Sequence, residues 1–171
     1  MKTLLSLGMI VALGFNTSYA DEPSPSTTTS ATYMIGGLHC PPCTRTVEGS
    51  LGRVKGIKSA KVDWAAKTAR IQFDENVVSA TDVADSVAHT PHMMGGGMKY
   101  SGTLALSVPE LRDKDTGKTA AEALEKLPGV SKVNVFPATH VLTVQFKDHA
   151  KLTSSQLIAA LDQVGMKAKT Y

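Results

Sequence analysis

The chain has 171 residues, 42% of them apolar, 19% charged and 5% aromatic, with a net charge of +3. That charge is too mild for a nucleic-acid binder built on a basic face, and the aromatic content is too low for base-stacking platforms. Two cysteines are too few for a disulfide scaffold.

Residues 1–20 read as a signal peptide. Met1-Lys2 is a short basic start, Leu4 to Phe15 is almost wholly apolar, and Ser18-Tyr19-Ala20 places small residues just before a cut at Asp21. About 12 apolar residues fall short of the ~20 that span a bilayer. The mature protein is therefore expected to be secreted or periplasmic, without a stable membrane anchor. Residues 21–31 (DEPSPSTTTSA) are rich in hydroxyls and prolines and have no apolar periodicity. They are expected to form a disordered linker.

From Thr32 onward the chain repeats itself. Gly56–Phe73 aligns without a gap on Gly129–Phe146 at an offset of 73, with Val62 on Val135, Ile71 on Val144 and Gln72-Phe73 on Gln145-Phe146. Downstream the match resumes with a one-residue slip, Val83 on Leu157 and Val87 on Leu161. In the first copy, Thr32–Ile35 reads as a strand. Val47, Leu51 and Val54 have the spacing of one helix face. Ser59–Trp64 and Ala69–Phe73 alternate around a turn as a hairpin. Thr81 is placed to cap a second helix carrying Val83, Ala84 and Val87, and Met98–Ser101 closes the unit as a strand. The second copy reads as Thr103–Val108, Lys118–Leu127, Ser131–Phe136, His140–Phe146, Thr153–Val164 and Lys167–Thr170. The expected fold is α+β: two tandem ferredoxin-like βαββαβ domains, 32–101 and 102–171. With only Gly102 between the last strand of one and the first of the next, the two sheets are expected to share one long strand.

The first strand–helix turn reads Gly36-Gly37-Leu38-His39-Cys40-Pro41-Pro42-Cys43. Prolines suit the first turn of a helix, where N–H groups lack internal partners. Both sulfurs then lie at the positive helix end, which favours thiolate. Thiolates select soft ions, and two of them suffice for a low-coordinate Cu(I) or Hg(II). An inert disulfide and a thiol–disulfide exchange site are the other uses of such a pair. His39 in place of a Trp before the pair, and a hairpin directly after the helix, speak against the exchange site.

With these elements in place, residues 32–101 resemble the heavy-metal-associated (HMA) domain, the fold of copper chaperones, of N-terminal modules of copper-exporting ATPases and of the periplasmic mercuric-transport protein. The resemblance rests on Gly37, Cys40 and Cys43 in a G-x-x-C-x-x-C turn, on Val54-Lys55-Gly56, on Val62-Asp63 and on Phe73-Asp74. It implies that Cys40 and Cys43 carry a soft metal ion and pass it on by ligand exchange. Two departures stand out. Leu38 replaces the Met often buried under the metal loop. The loop after the second helix, usually a short turn with an aromatic or Lys beside the metal, is here His89-Thr90-Pro91-His92-Met93-Met94-Gly95-Gly96-Gly97-Met98. In this fold the loop lies beside the Cys turn, so His89, His92, Met93, Met94 and Met98 join the candidate ligands, with the glycines as hinges. As a plain connector, the same methionines would pack on the domain junction.

The second copy has lost the site: Asp113 stands at the position of Cys40 and Thr116 at that of Cys43. Its turn, Pro109–Lys118, is expected to be polar and exposed, and His140 and His149 are expected on the surface without a role. The reading is a non-enzymatic, exported soft-metal carrier or buffer for Cu(I), with Hg(II) and Zn(II) as alternative ions. Its partner would be a metal-transporting membrane protein or another periplasmic metal carrier. The alternatives are a Hg(II) scavenger and a thiol–disulfide oxidoreductase.

Overall fold

The structure, a computed structural model, describes residues 28–171. The signal-peptide reading and most of the expected linker lie outside the described residues. The elements in chain order are β1 (Thr28–Gly36), α1 (Cys43–Leu51), β2 (Ile57–Asp63), β3 (Thr68–Asp74), α2 (Ala80–Ala88), β4 (Ser101–Ser107), α3 (Lys114–Glu125), β5 (Val130–Phe136), a 3-10 turn (Pro137–Thr139), β6 (Val141–Phe146), α4 (Ser154–Asp162) and β7 (Lys169–Thr170). No helix among the described residues is long and apolar enough to cross a membrane.

The strands form one antiparallel sheet in the order β2-β3-β1-β4-β6-β5, with β7 also on β4. β4 belongs to both units. It pairs with β1, Thr32 opposite Ala105, and with β6, Leu104 opposite Val144. The sheet is therefore continuous across the two βαββαβ patterns. Residues directly opposite in a ladder point to the same face. Leu104 and Leu106 thus share a face with Val144 and Leu142, and all four are fully buried. Gly102 lies on that face too, and a Cβ there would sit 3.1 Å from the Ala84 Cα of α2. Gly117 of α3 meets Val135 from the same side. Each fully buried Leu, Ile, Val or Phe on this face contributes about 1.5–3 kcal/mol of hydrophobic stabilisation. The cluster runs unbroken from Tyr33, Val47, Ile71 and Phe73 to Leu124, Leu142 and Leu157.

The second unit repeats the first in backbone detail. A register shift between Ile57 and Ser59 recurs between Val130 and Lys132. Gly56 and Gly129 both have positive φ, and their carbonyls accept from Asp74 N–H at 2.9 Å and Lys147 N–H at 2.7 Å. The helix caps Ser79 and Thr153 carry the one-residue slip.

A polar seam ties the two units beyond the shared strand. The Thr81 N–H donates to the Leu152 carbonyl at 3.2 Å, and the Leu152 N–H donates to the Thr81 hydroxyl at 3.1 Å. Glu75 accepts from the N–H of Ser154 at 2.8 Å, from the Ser154 hydroxyl, and from the Ser155 hydroxyl at 2.8 Å. Lys151 Nζ lies 2.6 Å from Asp82.

Several boundaries differ from those expected. Thr28–Ala31, expected in the disordered linker, form the start of β1 and pair with β3 from Thr28 opposite Asp74 to Ala31 opposite Ile71. β-branched threonines suit a strand, and Ala31 is fully buried there. Ser79, not Thr81, caps α2, through a reciprocal box with Asp82; the Thr81 hydroxyl serves the seam instead. Of the strand expected at Met98–Ser101, only Ser101 enters the ladder. A chain of turns, His92 O to Gly95 N–H and Gly95 O to Met98 N–H, precedes it. α3 starts at Lys114 rather than Lys118, because Asp113 and Thr116 form a capping box.

Candidate metal centre

Leu38 plugs the β1–α1 turn from below. It is 3% exposed, so it takes the buried place under the loop. Gly37 has φ +81°, and a Cβ there would collide with the Lys99 carbonyl. The Cys-Pro-Pro run then cuts α1 short: Cys43 is its first residue, and Pro42 supplies no side-chain cap. The backbone closes the turn by itself, with Cys43 N–H to Cys40 O at 3.1 Å, Thr44 N–H to Pro41 O at 3.2 Å and Arg45 N–H to Pro42 O at 3.2 Å. Cys40 and Cys43 are joined as a disulfide, Cα to Cα 5.4 Å. Cys43 is buried and Cys40 half-buried, so one sulfur faces the core and the other is open to an incoming group.

Two side chains hold this turn. Lys67, in the β2–β3 hairpin at φ +55°, donates from Nζ to the Leu38 carbonyl at 2.6 Å, and its own carbonyl accepts from Ile35 N–H at 2.8 Å. Its ammonium also sits 4.4 Å from the centre of the Trp64 ring. His92 reaches in from the long loop. Its Nε2 lies 3.0 Å from the Gly37 carbonyl, an acceptor, so Nε2 is the donor. Its Nδ1 accepts from the Met94 N–H at 3.2 Å. The ring packs on Tyr100, centroids 4.5 Å apart, and meets His39 at 5.8 Å. Tyr100 is buried, with its hydroxyl unpartnered among the described residues.

The expected loop ligands thus divide. The loop does lie against the Cys turn, through His92. Yet both nitrogens of His92 are engaged, which makes it a latch rather than a free ligand. His89 turns back on its own helix, Nδ1 to the Asp85 carbonyl at 2.8 Å. His39 is exposed. Met93, Met94 and Met98 stand out from the loop, 55%, 60% and 38% exposed. Among the described residues no cluster of three His, Cys, Asp or Glu side chains is placed to hold an ion, so a closed four-ligand zinc site has no partners for the cysteines.

Lys67 and Tyr100 were missed in the sequence. For Tyr100 a signal existed: an aromatic at the end of the loop that the HMA pattern expects to carry one. His140 also has a place that the sequence reading denied it. Its φ is +53°, its Nδ1 lies 2.7 Å from the Leu111 carbonyl, and its carbonyl accepts from Val108 N–H at 2.8 Å. His140 and Leu111 stand 73 residues after Lys67 and Leu38.

The HMA pattern, "Heavy-metal-associated domain", matches residues 32–92. Over 55 residues the chain is 31% identical to the copper chaperone CopZ of Enterococcus hirae, covering 80% of that protein and 32% of this chain. The chain belongs to the heavy-metal-associated domain family. The CopZ of Bacillus subtilis is similar at 32% identity over 56 residues, 81% of its length and 33% of this chain. A copper-transporting ATPase of Oryza sativa subsp. japonica is 28% identical over 116 residues, 66% of this chain, but the chain spans only 12% of that ATPase. Among solved structures, the water-soluble region of the P-type ATPase CopA from Bacillus subtilis overlaps 86% of this chain and 93% of its own, at 20% identity and a TM-score of 0.42.

Proposed function

We propose that this HMA protein is an exported, non-enzymatic carrier of soft metal ions in metal transport or detoxification, with Cu(I) as its cargo. The observation that carries the reading is the Cys40–Cys43 turn at the uncapped N-terminus of α1, beside the Lys67 ammonium. A helix N-terminus and a nearby cation both favour thiolate over thiol. Loading needs the dithiol. A reductant of the dithiol class supplies two electrons and two protons to open the disulfide, and each thiol gives up its proton as its sulfur binds the ion. Transfer then proceeds as a partner's thiol, thioether or imidazole enters while one cysteine leaves, which an open two-sulfur site allows. The half-buried Cys40 is the sulfur that an incoming ligand reaches first.

Copper is preferred over Hg(II) and Zn(II) on two grounds. Two relatives that the chain covers to about four fifths of their length are copper chaperones, and the methionines beside the turn suit a soft monovalent ion. The partner would be a metal-transporting membrane protein or another periplasmic carrier. The test is a Cu(I) titration of the reduced protein against a chromophoric chelator. One tightly held equivalent, lost in the Cys40→Ser/Cys43→Ser variant, supports the carrier; no competition with the chelator refutes it. Export is tested by N-terminal sequencing of the chain from a periplasmic extract, which should begin at Asp21.

A second reading, thiol–disulfide exchange, draws on the disulfide itself and on its unequal exposure. Catalysed reduction of insulin by the dithiol form would favour it over the carrier.

A further inference from the structure

The disulfide and the methionines lie at the same end of the molecule, and only one of the two depends on redox state. Met93 and Met94 are the central residues of the turn closed by Gly95 N–H to His92 O at 3.1 Å. The next turn, Met98 N–H to Gly95 O at 3.3 Å, brings Met98 round to follow them. Gly95, Gly96 and Gly97 all have positive φ, and nothing lies within 4 Å of where their side chains would be. The middle of the loop is therefore unpacked, in a conformation that other residues rarely adopt. Its ends are fixed: His92 is latched to Gly37 and stacked on Tyr100, and Tyr100 is buried beside β4. A methionine usually fills gaps in a core, as Met166 does at 6% exposure. Here three of them are held in water on a hinged arm, within one loop's reach of the metal turn.

We propose that Met93, Met94 and Met98 form a separate thioether site for a soft monovalent ion, Cu(I) or its analogue Ag(I), and that it works while Cys40 and Cys43 are disulfide-bonded. The inference rests on the reading of this chain as a soft-metal carrier, and it adds a site that needs no thiol. Thioethers are neutral and do not pair into disulfides. Neutral sulfur ligands suit a singly charged d10 ion, whereas Zn(II) draws its sulfur ligands from charged thiolates. His92 is not a ligand in this assignment: its Nε2–H serves Gly37 and its Nδ1 accepts from Met94 N–H.

The test uses the full chain with its disulfide intact, verified by the absence of titratable thiol. Silver nitrate is added in chloride-free buffer, and the methionine methyl groups are followed by 13C NMR. The methyls of Met93, Met94 and Met98 should shift together and saturate at one equivalent, while those of Met34 and Met166 stay in place. Met93→Leu/Met94→Leu/Met98→Leu should lower the silver affinity at least tenfold, and His92→Ala should leave the three methyl shifts present. Zn(II) should move none of them. Unmoved methyls, three separate saturation curves, or silver binding untouched by the leucine variant would each overturn the site. The Cys40→Ser/Cys43→Ser chain repeats the measurement without any disulfide, and loss of the shifts there would equally overturn it. Failure here leaves the Cu(I) titration of the reduced thiols intact, so the two readings fall separately.

Discussion

The β1–α1 and β4–α3 turns are built on one frame and differ at a few positions. In both, a buried leucine plugs the turn: Leu38 in the first, Leu111 in the second. In both, the carbonyl of that leucine accepts from a side chain on the following hairpin, Lys67 or His140, at nearly the same left-handed φ of +55° or +53°. What changes is the start of the helix. Asp113 caps α3 and lets it begin at Lys114, whereas Cys40-Pro41-Pro42 delays α1 until Cys43. Because the clamp survives where there are no cysteines, its shape is a property of the fold. The cysteine turn, the missing cap and the lysine of the clamp belong to the first unit alone. Helices α2, α3 and α4 each have a full capping box, and α1 has no side-chain cap. Giving up a cap of about 1 kcal/mol leaves the first N–H groups of α1 without a competing side-chain acceptor beside the sulfurs.

The largest test of this contrast is metal binding. In the reduced protein, Cys40→Ser/Cys43→Ser should weaken Cu(I) binding by more than about a hundredfold, ~2.7 kcal/mol, in the chelator competition. Asp113→Ala/Thr116→Ala, the matching change in the second turn, should leave it unaltered. A comparable loss in both would mean that the second turn takes part.

The repeat itself was legible, because apolar spacing at a fixed offset records which face of each element is buried. The shared strand followed from the single residue, Gly102, between two strand patterns. The cysteine turn was legible because its chemistry is local. The Lys67–His140 pair was hidden, since a lysine and a histidine share little beyond an N–H donor. Nothing in periodicity marks a non-glycine residue in left-handed backbone. The latch of His92 was hidden for another reason: its acceptor, Gly37, lies 55 residues away. The α2 cap was misplaced at Thr81 and the α3 start at Lys118, where several Ser, Thr and Asp residues compete and tertiary packing chooses among them.

The seam offers the next test, because it decides whether the two units unfold as one. Glu75→Ala removes the acceptor for Ser154 N–H and for the hydroxyls of Ser154 and Ser155. The expected loss is about 1–3 kcal/mol in urea unfolding, since an orphaned N–H is costly. A single transition followed by both Trp64 fluorescence and far-UV circular dichroism should persist. Separation into two transitions would show that the shared strand does not couple the units without Glu75.

A smaller effect distinguishes the clamps. Lys67→Met and His140→Leu each leave one leucine carbonyl without its donor, at about 1 kcal/mol. Only Lys67→Met should also weaken Cu(I) binding, severalfold, because only Lys67 sets an ammonium on the turn that carries the cysteines, at the Leu38 carbonyl. Equal effects of the two changes on copper would assign Lys67 a purely structural part.

The smallest predicted effect is acid sensitivity, and it falls outside the metal turn. The Asp113 pKa is lowered from 3.8 by the Thr116 N–H and then by the Thr116 hydroxyl. Burial pulls the Asp82 pKa upward, but the hydrogen bonds from Lys151 and Ser79 outweigh it and leave it below 3.8. A carboxyl whose folded pKa is depressed stabilises the fold fully above its unfolded pKa. That contribution is lost as the pH falls from about 3.8 through the folded value. Asn is as good a cap as Asp but carries no charge. Asp113→Asn should therefore unfold in urea much like the parent at pH 6 and lose less stability than the parent between pH 4 and pH 2. Asp82→Asn should follow the same pattern, with an added small cost at pH 6 from the lost ion pair with Lys151. Parallel curves for parent and variants would mean that other carboxylates set the acid limit. Since α1 has no acidic residue in its first turn, the α1 cap itself should add nothing to this loss, and the acid-sensitive caps are those of α2 and α3.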